Sequence, residues 1–133
     1  MGLLGFVSVG VGATLGAWLR WWLGAVLNSV LPTLAVGTLA ANVIGGYLVG
    51  LAIGYFEHIH SVAPETRLFI TTGFLGGLTT FSAFSGETVT SLLRAEYLWA
   101  ALNIGANVVG SLLMTLLGVA TILLLRGWLA SQG

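Results

Sequence analysis

The chain has 133 residues, 57% of them hydrophobic and only 6% charged, and its mean hydropathy is +1.04. A soluble domain needs about a quarter of its residues charged, so four Arg and four Glu, with no Lys and no Asp, place this chain in lipid. A net charge of zero without any Lys/Arg cluster excludes nucleic acid as a partner, and the absence of Cys excludes disulfides, thiolate nucleophiles and Cys-metal sites.

By length, residues 1–133 form one domain. A helix crossing the roughly 30 Å hydrocarbon core needs about 20 mostly apolar residues, and four stretches qualify, giving an all-α membrane protein. The first covers about residues 3–27, interrupted only by Arg20, and the second about 34–56, after Pro32 in a short turn. A polar, water-exposed connection over 57–67 holds Glu57, His58, His60, Glu65 and Arg67. The third span covers about 68–93, a turn around Arg94-Ala95-Glu96 follows, and the fourth covers about 97–125. With no positive charge before residue 20 and an apolar stretch too long for a signal core, a cleavable leader is not expected.

Positive charge is balanced across the bilayer, with Arg67 and Arg126 on one side, Arg94 on the other, and Arg20 joining Arg94 if it snorkels. Such a chain either inserts both ways, which permits an antiparallel homodimer, or has its topology set by hydrophobicity or a partner. Among 20 glycines, Gly12/Gly16 and Gly46/Gly50/Gly54 recur at helical spacing, as faces that let membrane helices pack closely.

Polar residues inside the spans are costly unless partnered. In the fourth span Asn103, Asn107, Ser111 and Thr115 recur every four residues, a face about 18 Å long, and in the second Thr38 and Asn42 share one face. These stripes are either interhelical hydrogen bonding or a hydrated path. The third span, Thr71-Thr72-Gly73-Phe74-Leu75-Gly76-Gly77-Leu78-Thr79-Thr80, is a poor continuous helix, because Gly76-Gly77 lower propensity and Thr79-Thr80 compete for backbone bonds. A break near the midplane would expose carbonyls able to coordinate a cation, whereas an intact helix would return each hydroxyl to its own i−4 carbonyl. Phe81 and Phe84, at i, i+3 among hydroxyls, either pack or present positive ring edges to a small anion. Weak coordination by neutral donors suits conduction better than a cationic ring.

The stretches 12–20 (Gly-Ala-Thr-Leu-Gly-Ala-Trp-Leu-Arg), 37–42 (Gly-Thr-Leu-Ala-Ala-Asn) and 76–85 (Gly-Gly-Leu-Thr-Thr-Phe-Ser-Ala-Phe-Ser) resemble the Fluc family of fluoride channels, also called CrcB, along the whole chain. The resemblance implies a passive, electrogenic channel of the bacterial inner membrane that exports fluoride from the cytoplasm. It implies a dual-topology antiparallel homodimer with two pores and a structural sodium ion at its centre. By motif, Phe81 and Phe84 line the pores, Asn42 is among the anion's donors, and Thr38, Ser111 and Thr115 lie on the polar track, which Asn107 extends by spacing. Ser82 and Ser85 support the Phe pair, and backbone carbonyls of Gly76 and Thr79 from each subunit hold the sodium. Ala83 departs from the family pattern, which often has a hydroxyl there.

Glu87 follows the Phe pair, where it either orients donors or carries protons in an exchanger. Arg20 either attracts anions or holds the fold. His58 and His60 lack the further ligands a metal needs and belong to a solvated loop. Small multidrug exporters also use four spans and dual topology, but they place a carboxylate in the first span, where this chain has Arg20. A non-transporting assembly subunit is a third possibility. An enzyme is not expected, since there is no Asp, Cys or Gly-x-Ser-x-Gly elbow.

Overall fold

In lipid no water can satisfy exposed backbone groups, so a spanning segment must close its own hydrogen bonds, and helices follow. A computed structural model describes residues 2–133 and contains four helical segments long and apolar enough to cross a membrane. Helix α1 covers Leu3–Leu27 and α2 covers Val36–Phe56. The third segment, Pro64–Leu93, is built in pieces. It comprises α3 (Pro64–Leu68), a π-helical stretch (Phe69–Leu75), a last turn α4 (Gly76–Leu78), and then α5 (Phe81–Leu93). Helix α6, Tyr97–Gln132, completes the bundle, and no strand occurs among the described residues.

The third span does break, and of the two weak pairs, Gly76-Gly77 and Thr79-Thr80, it is the threonines that give way. Thr79 (φ −83°, ψ 153°) and Thr80 (φ −150°, ψ 124°) are extended. The glycines stay helical, and the β-branched hydroxyl residues leave the helix. Thr79 still donates to its i−4 carbonyl, Leu75, at 2.8 Å, so back-bonding accompanies the break and does not prevent it. Thr80 then caps the next helix, its hydroxyl accepting from the Ala83 N–H at 3.1 Å, as an N-cap threonine should. The span also begins earlier than hydropathy suggests, because Pro64 suits the first turn of a helix. The fourth helix continues past Arg126 to Gln132; its 36 residues extend about 54 Å, well beyond the hydrocarbon core.

Glycines decide which helices touch. A Cβ on Gly16 would strike the backbone of Phe74 and Leu78, and one on Gly77 would strike that of Ala13. The first helix therefore lies directly on the π-helical and α4 part of the third span. On the opposite side Gly50 meets Gly118, where an added Cβ would fall 2.9 Å from the Gly118 Cα, which joins α2 to α6. Between the two pairs sits a small apolar core of Leu23, Ala41 and Leu78, with Leu19, Leu27, Leu48 and Phe74 against it. The buried set also includes Thr38, Thr88, Asn103 and Asn107, while Phe6, Trp21, Leu93, Leu98 and Leu124 face outward, as expected of a lipid-facing surface.

The turn after α5 is a Schellman motif. The Glu96 N–H donates to Ser91 at 2.9 Å and the Ala95 N–H to Leu92 at 3.0 Å, with Ala95 at φ 58°. Those bonds close the carbonyls at the end of α5 and start α6 after three residues.

Because the atoms facing Gly50 are backbone and cannot swing aside, Gly50→Ala is expected to destabilise the bundle by about 1–3 kcal/mol. Gly127→Ala, where a Cβ meets nothing within 4 Å, should leave it unchanged or slightly stabilised. Denaturant unfolding in detergent micelles checks both.

Candidate functional site

The break leaves Thr80 with backbone groups that no helical neighbour can match. Asn42, one turn above Thr38 on α2, matches them with a single side chain. Its Oδ1 accepts the Thr80 N–H at 2.8 Å, and its Nδ2 donates to the Thr80 carbonyl at 3.0 Å. The second proton of Nδ2 goes to Asn107 Oδ1 at 2.9 Å. Asn42 is therefore fully committed, as a clamp on the break joined to the stripe on α6.

Asn107 passes the connection on. Its Nδ2 donates to both oxygens of Asn103, the backbone carbonyl at 3.0 Å and Oδ1 at 2.9 Å. Asn103 Nδ2 donates to Thr88 Oγ1 at 3.0 Å, and Thr88 donates to the Phe84 carbonyl at 2.8 Å. A chain of neutral amides and one hydroxyl thus runs from the break, through α6, back to the carbonyl of one of the paired phenylalanines. The i, i+4 spacing of Asn103 and Asn107 is visible in sequence. Thr88 as their anchor is not, because it lies on another helix.

Phe81 and Phe84 are a T-shaped pair, with ring centroids 5.5 Å apart and planes at 69°. They differ sharply in cover: Phe84 is 7% exposed and Phe81 78%. Both line a groove of about 390 Å³ with Asn42, Asn107, Ser111 and Thr115, and no ionisable residue lines it. The Thr115 hydroxyl is committed to carbonyls, Gly46 at 3.0 Å or Ser111 at 2.9 Å. Ser82 is exposed, with its Oγ 3.4 Å from that of Thr80, and Ser85 is half-buried.

Thr38 lies apart from this groove. Its hydroxyl donates to Glu87 Oε1 at 2.5 Å, while Oε2 of the same carboxylate is buried without a partner. Glu87 lines a second, more polar cavity of about 340 Å³ at the end of the bundle where the α1–α2 loop meets the turn after α5. Arg20 is in neither cavity. Its Nε donates to the Gly77 carbonyl at 3.2 Å, setting a cation at the C-terminal end of the half-helix that stops at Leu78, where carbonyl ends carry partial negative charge.

The carbonyls of Gly76 and Thr79 fit a hard cation. The Thr80 N–H that would close a helical bond to Gly76 is taken by Asn42, and Thr79 is extended, with its own N–H returned to Leu75 at 3.0 Å. Such freed carbonyl oxygens suit sodium without any carboxylate. Among the described residues no group of three or more His, Cys, Asp or Glu could hold a metal ion, and His58 instead contacts the Gly54 carbonyl at 2.9 Å near the end of α2.

Four apolar spans, one of them broken beside a neutral polar groove, define a multi-pass membrane protein. Residues 7–119 match the family described as CrcB-like protein, Camphor Resistance (CrcB), and the chain belongs to that family. It is 58% identical to a fluoride-specific ion channel FluC of Nitrosospira multiformis, over 99% of this chain and 100% of the relative. Proteins of the same name from Cupriavidus metallidurans and Pseudomonas putida are 53% and 50% identical, over 90% and 94% of this chain and 94% and 98% of their own lengths.

Replacing the clamp should cost stability directly. Asn42→Leu strands the Thr80 N–H and carbonyl and the Asn107 oxygen, and since each unmatched buried group costs about 1–3 kcal/mol, a loss of about 2–4 kcal/mol is expected in denaturant unfolding. A loss below about 1 kcal/mol would show that the break holds without it.

Proposed function

We propose that this protein is a passive, electrogenic fluoride-selective channel that exports toxic fluoride from the cytoplasm across the bacterial inner membrane. The observation that carries the reading is the uncharged groove, in which a T-shaped phenylalanine pair meets the amides and hydroxyls of Asn42, Asn107, Ser111 and Thr115. Ring edges carry partial positive charge, and neutral donors bind an anion strongly enough to admit it and weakly enough to release it. Fluoride, small and a strong hydrogen-bond acceptor, exchanges its water for such donors better than chloride does. The relatives named as fluoride-specific channels support the same substrate.

The working form is a dual-topology antiparallel homodimer of single-domain chains with two pores. The exposure of Phe81 supports it, because a pore-lining ring 78% uncovered in one chain needs a second copy to close the groove. A structural sodium ion sits at the dimer centre, held by the Gly76 and Thr79 carbonyls of each subunit, where a two-fold axis doubles two ligands into four. When bound it ties the two breaks together. Phe81 and Phe84 line the pores, and Asn42 reaches the anion by exchanging its bond to Asn107. Ser111, Thr115 and Asn107 form the track within the groove, Thr38 extends it outside the groove beside Glu87, and Ser82 and Ser85 support the ring pair.

One observation favours a second reading. The unpartnered Glu87 Oε2 is a place for a proton in a coupled exporter, and such a protein would move fluoride only with an imposed proton gradient.

Liposomes loaded with potassium fluoride and monitored by a fluoride electrode separate these readings. Rapid fluoride loss that requires a potassium ionophore, without chloride loss under the same conditions, is expected of the channel; gradient-dependent loss favours the exporter, and no loss favours an assembly subunit. In the same assay Phe81→Ile or Phe84→Ile should slow efflux roughly tenfold, the worth of one ring-edge contact, with the dimer intact on gel filtration. Wild-type flux in either variant would remove the ring-edge role. Asn42→Asp should abolish flux, since a carboxylate repels the anion, and retained flux would overturn neutral-donor coordination.

A further inference from the structure

An apolar cleft lies on the far side of α2 from the phenylalanine groove. Leu48, Leu51, Ala52 and Tyr55 of α2 face Ile70 and Phe74 of the third span across about 520 Å³. At about 100° per residue, these α2 positions are turned roughly 140° from Asn42, Gly46 and Val49, which line the groove. A second copy that closes the groove therefore approaches α2 from another face. Helix pairing explains the space. Glycines hold α1 against the π-helical stretch and α2 against α6, and the core around Leu78 joins the two pairs, so the volume left over falls between α2 and the π-helical stretch.

The cleft is graded along its length. It reaches from Phe56, the last residue of α2, to Leu48, about 12 Å deeper in the bilayer. Its deep wall is hydrocarbon, and the two hydroxyl side chains that line it, Tyr55 and Thr66, belong to the shallow end. Beside that end is Arg67, its guanidinium carbon 4.9 Å from the centre of the Phe56 ring. One of the five guanidinium N–H donors goes to the Ile59 carbonyl at 2.9 Å. Among the described residues its other donors have no hydrogen-bond partner, and no carboxylate lines the cleft. Glu65 lines a separate cavity beside α1, and Glu57 is exposed. An apolar slot within the hydrocarbon, with a guanidinium at its interfacial end, has the form of one phospholipid tail and its phosphate.

We infer that this cleft is a phospholipid site, in which one acyl chain fills the space between α2 and the π-helical stretch and Arg67 binds the headgroup phosphate. The tail supplies the dispersion contacts that a void lacks. Every phospholipid carries such a tail, so selectivity falls to the headgroup. Arginine binds phosphate through two parallel N–H bonds, and a net anionic headgroup is preferred to a zwitterionic one, whose cationic group opposes the guanidinium. The occupant braces the first half of the broken span against α2. The site stands apart from the groove, so it does not depend on the channel reading.

Native mass spectrometry of the full chain in detergent, titrated with dioleoylphosphatidylglycerol or dioleoylphosphatidylcholine, tests this. The wild-type protein should retain one phosphatidylglycerol per chain and hold it roughly threefold or more tighter than phosphatidylcholine. Arg67→Gln should lower phosphatidylglycerol affinity at least about tenfold, as expected for loss of hydrogen bonds to a charged group, and should remove the preference. Arg126→Gln, which removes an exposed cation of α6, should change neither. Ala52→Leu fills the cleft from the α2 wall and should weaken both lipids roughly threefold to tenfold with Arg67 intact. Should that variant fail to assemble on gel filtration, Ile70→Phe fills the cleft from the facing wall and decides in its place. Equal losses in Arg67→Gln and Arg126→Gln would mean diffuse charge attraction and overturn the site. Unchanged affinity in the assembled cleft variant, or release of the lipid by millimolar inorganic phosphate, also overturns it. A wild-type protein that retains no lipid, and whose cleft variant shifts to a smaller species on gel filtration, assigns the cleft to a second copy instead.

Discussion

Thr80 leaves the helical ladder inside a lipid-embedded segment, and its N–H and carbonyl have no water to turn to. The Asn42 carboxamide takes both, at 2.8 and 3.0 Å, and much of the rest of the structure follows from that. A serine or threonine at residue 42 would offer one donor. An amide offers a donor and an acceptor on the same plane, and a further proton besides. That further proton binds Asn107, fixes the α6 stripe against α2, and through Asn103 and Thr88 carries the order of the break as far as the backbone of Phe84.

The break also has to be held from the other side. Helix α4 ends in carbonyls at the centre of the bundle, and Arg20 sets a guanidinium on one of them, Gly77. An arginine within a span is expensive, and here its placement against a helix C-terminus offsets that cost. Close approach makes the contact possible, since Gly77 and Gly16 each bring α1 against backbone with no room for a Cβ. The polar and glycine-rich features of the chain are therefore parts of one device, in which glycines bring helices near enough for side chains of modest reach to satisfy a broken backbone.

Charge is kept out of the groove and placed at the end of the bundle. The phenylalanine groove is lined by neutral residues alone, whereas Glu87, Arg94 and Glu96 gather in the outer cavity. In a low-dielectric interior an ionised group acts at full strength, so a neutral lining can remain weak and permissive where a charged one would bind or exclude. The polar surface also divides by commitment. Thr115, Thr88, Asn42 and Asn107 spend their protons within the protein, which leaves the ring edges, the Ser111 hydroxyl and one Asn103 N–H as the available donors.

Composition and hydropathy suffice to count the spans, because a lipid solvent demands long apolar helices and little else satisfies it. The Phe pair, the Asn stripe and the family motifs are likewise legible, since i, i+3 and i, i+4 spacing puts residues on one helix face before any partner is known. The break was legible to within a few residues, since Gly76-Gly77 and Thr79-Thr80 both weaken the helix; which pair gives way was not, and the glycines remain helical with α1 packed on them while Thr79 and Thr80 are extended. The π-helical turn at Phe69–Leu75 has no clear signature in the pattern. Nor could spacing tell that Asn42 would grip Thr80, 38 residues away, that Arg20 would meet Gly77, or that Asn103 would keep one proton free. Sequence determined which groups would be dissolved in lipid and had to find partners, because that depends on each residue's own transfer energy. Tertiary structure alone decided which partner each one found, because a hydrogen bond across helices depends on how closely two backbones approach and on the rotation that brings their side chains together.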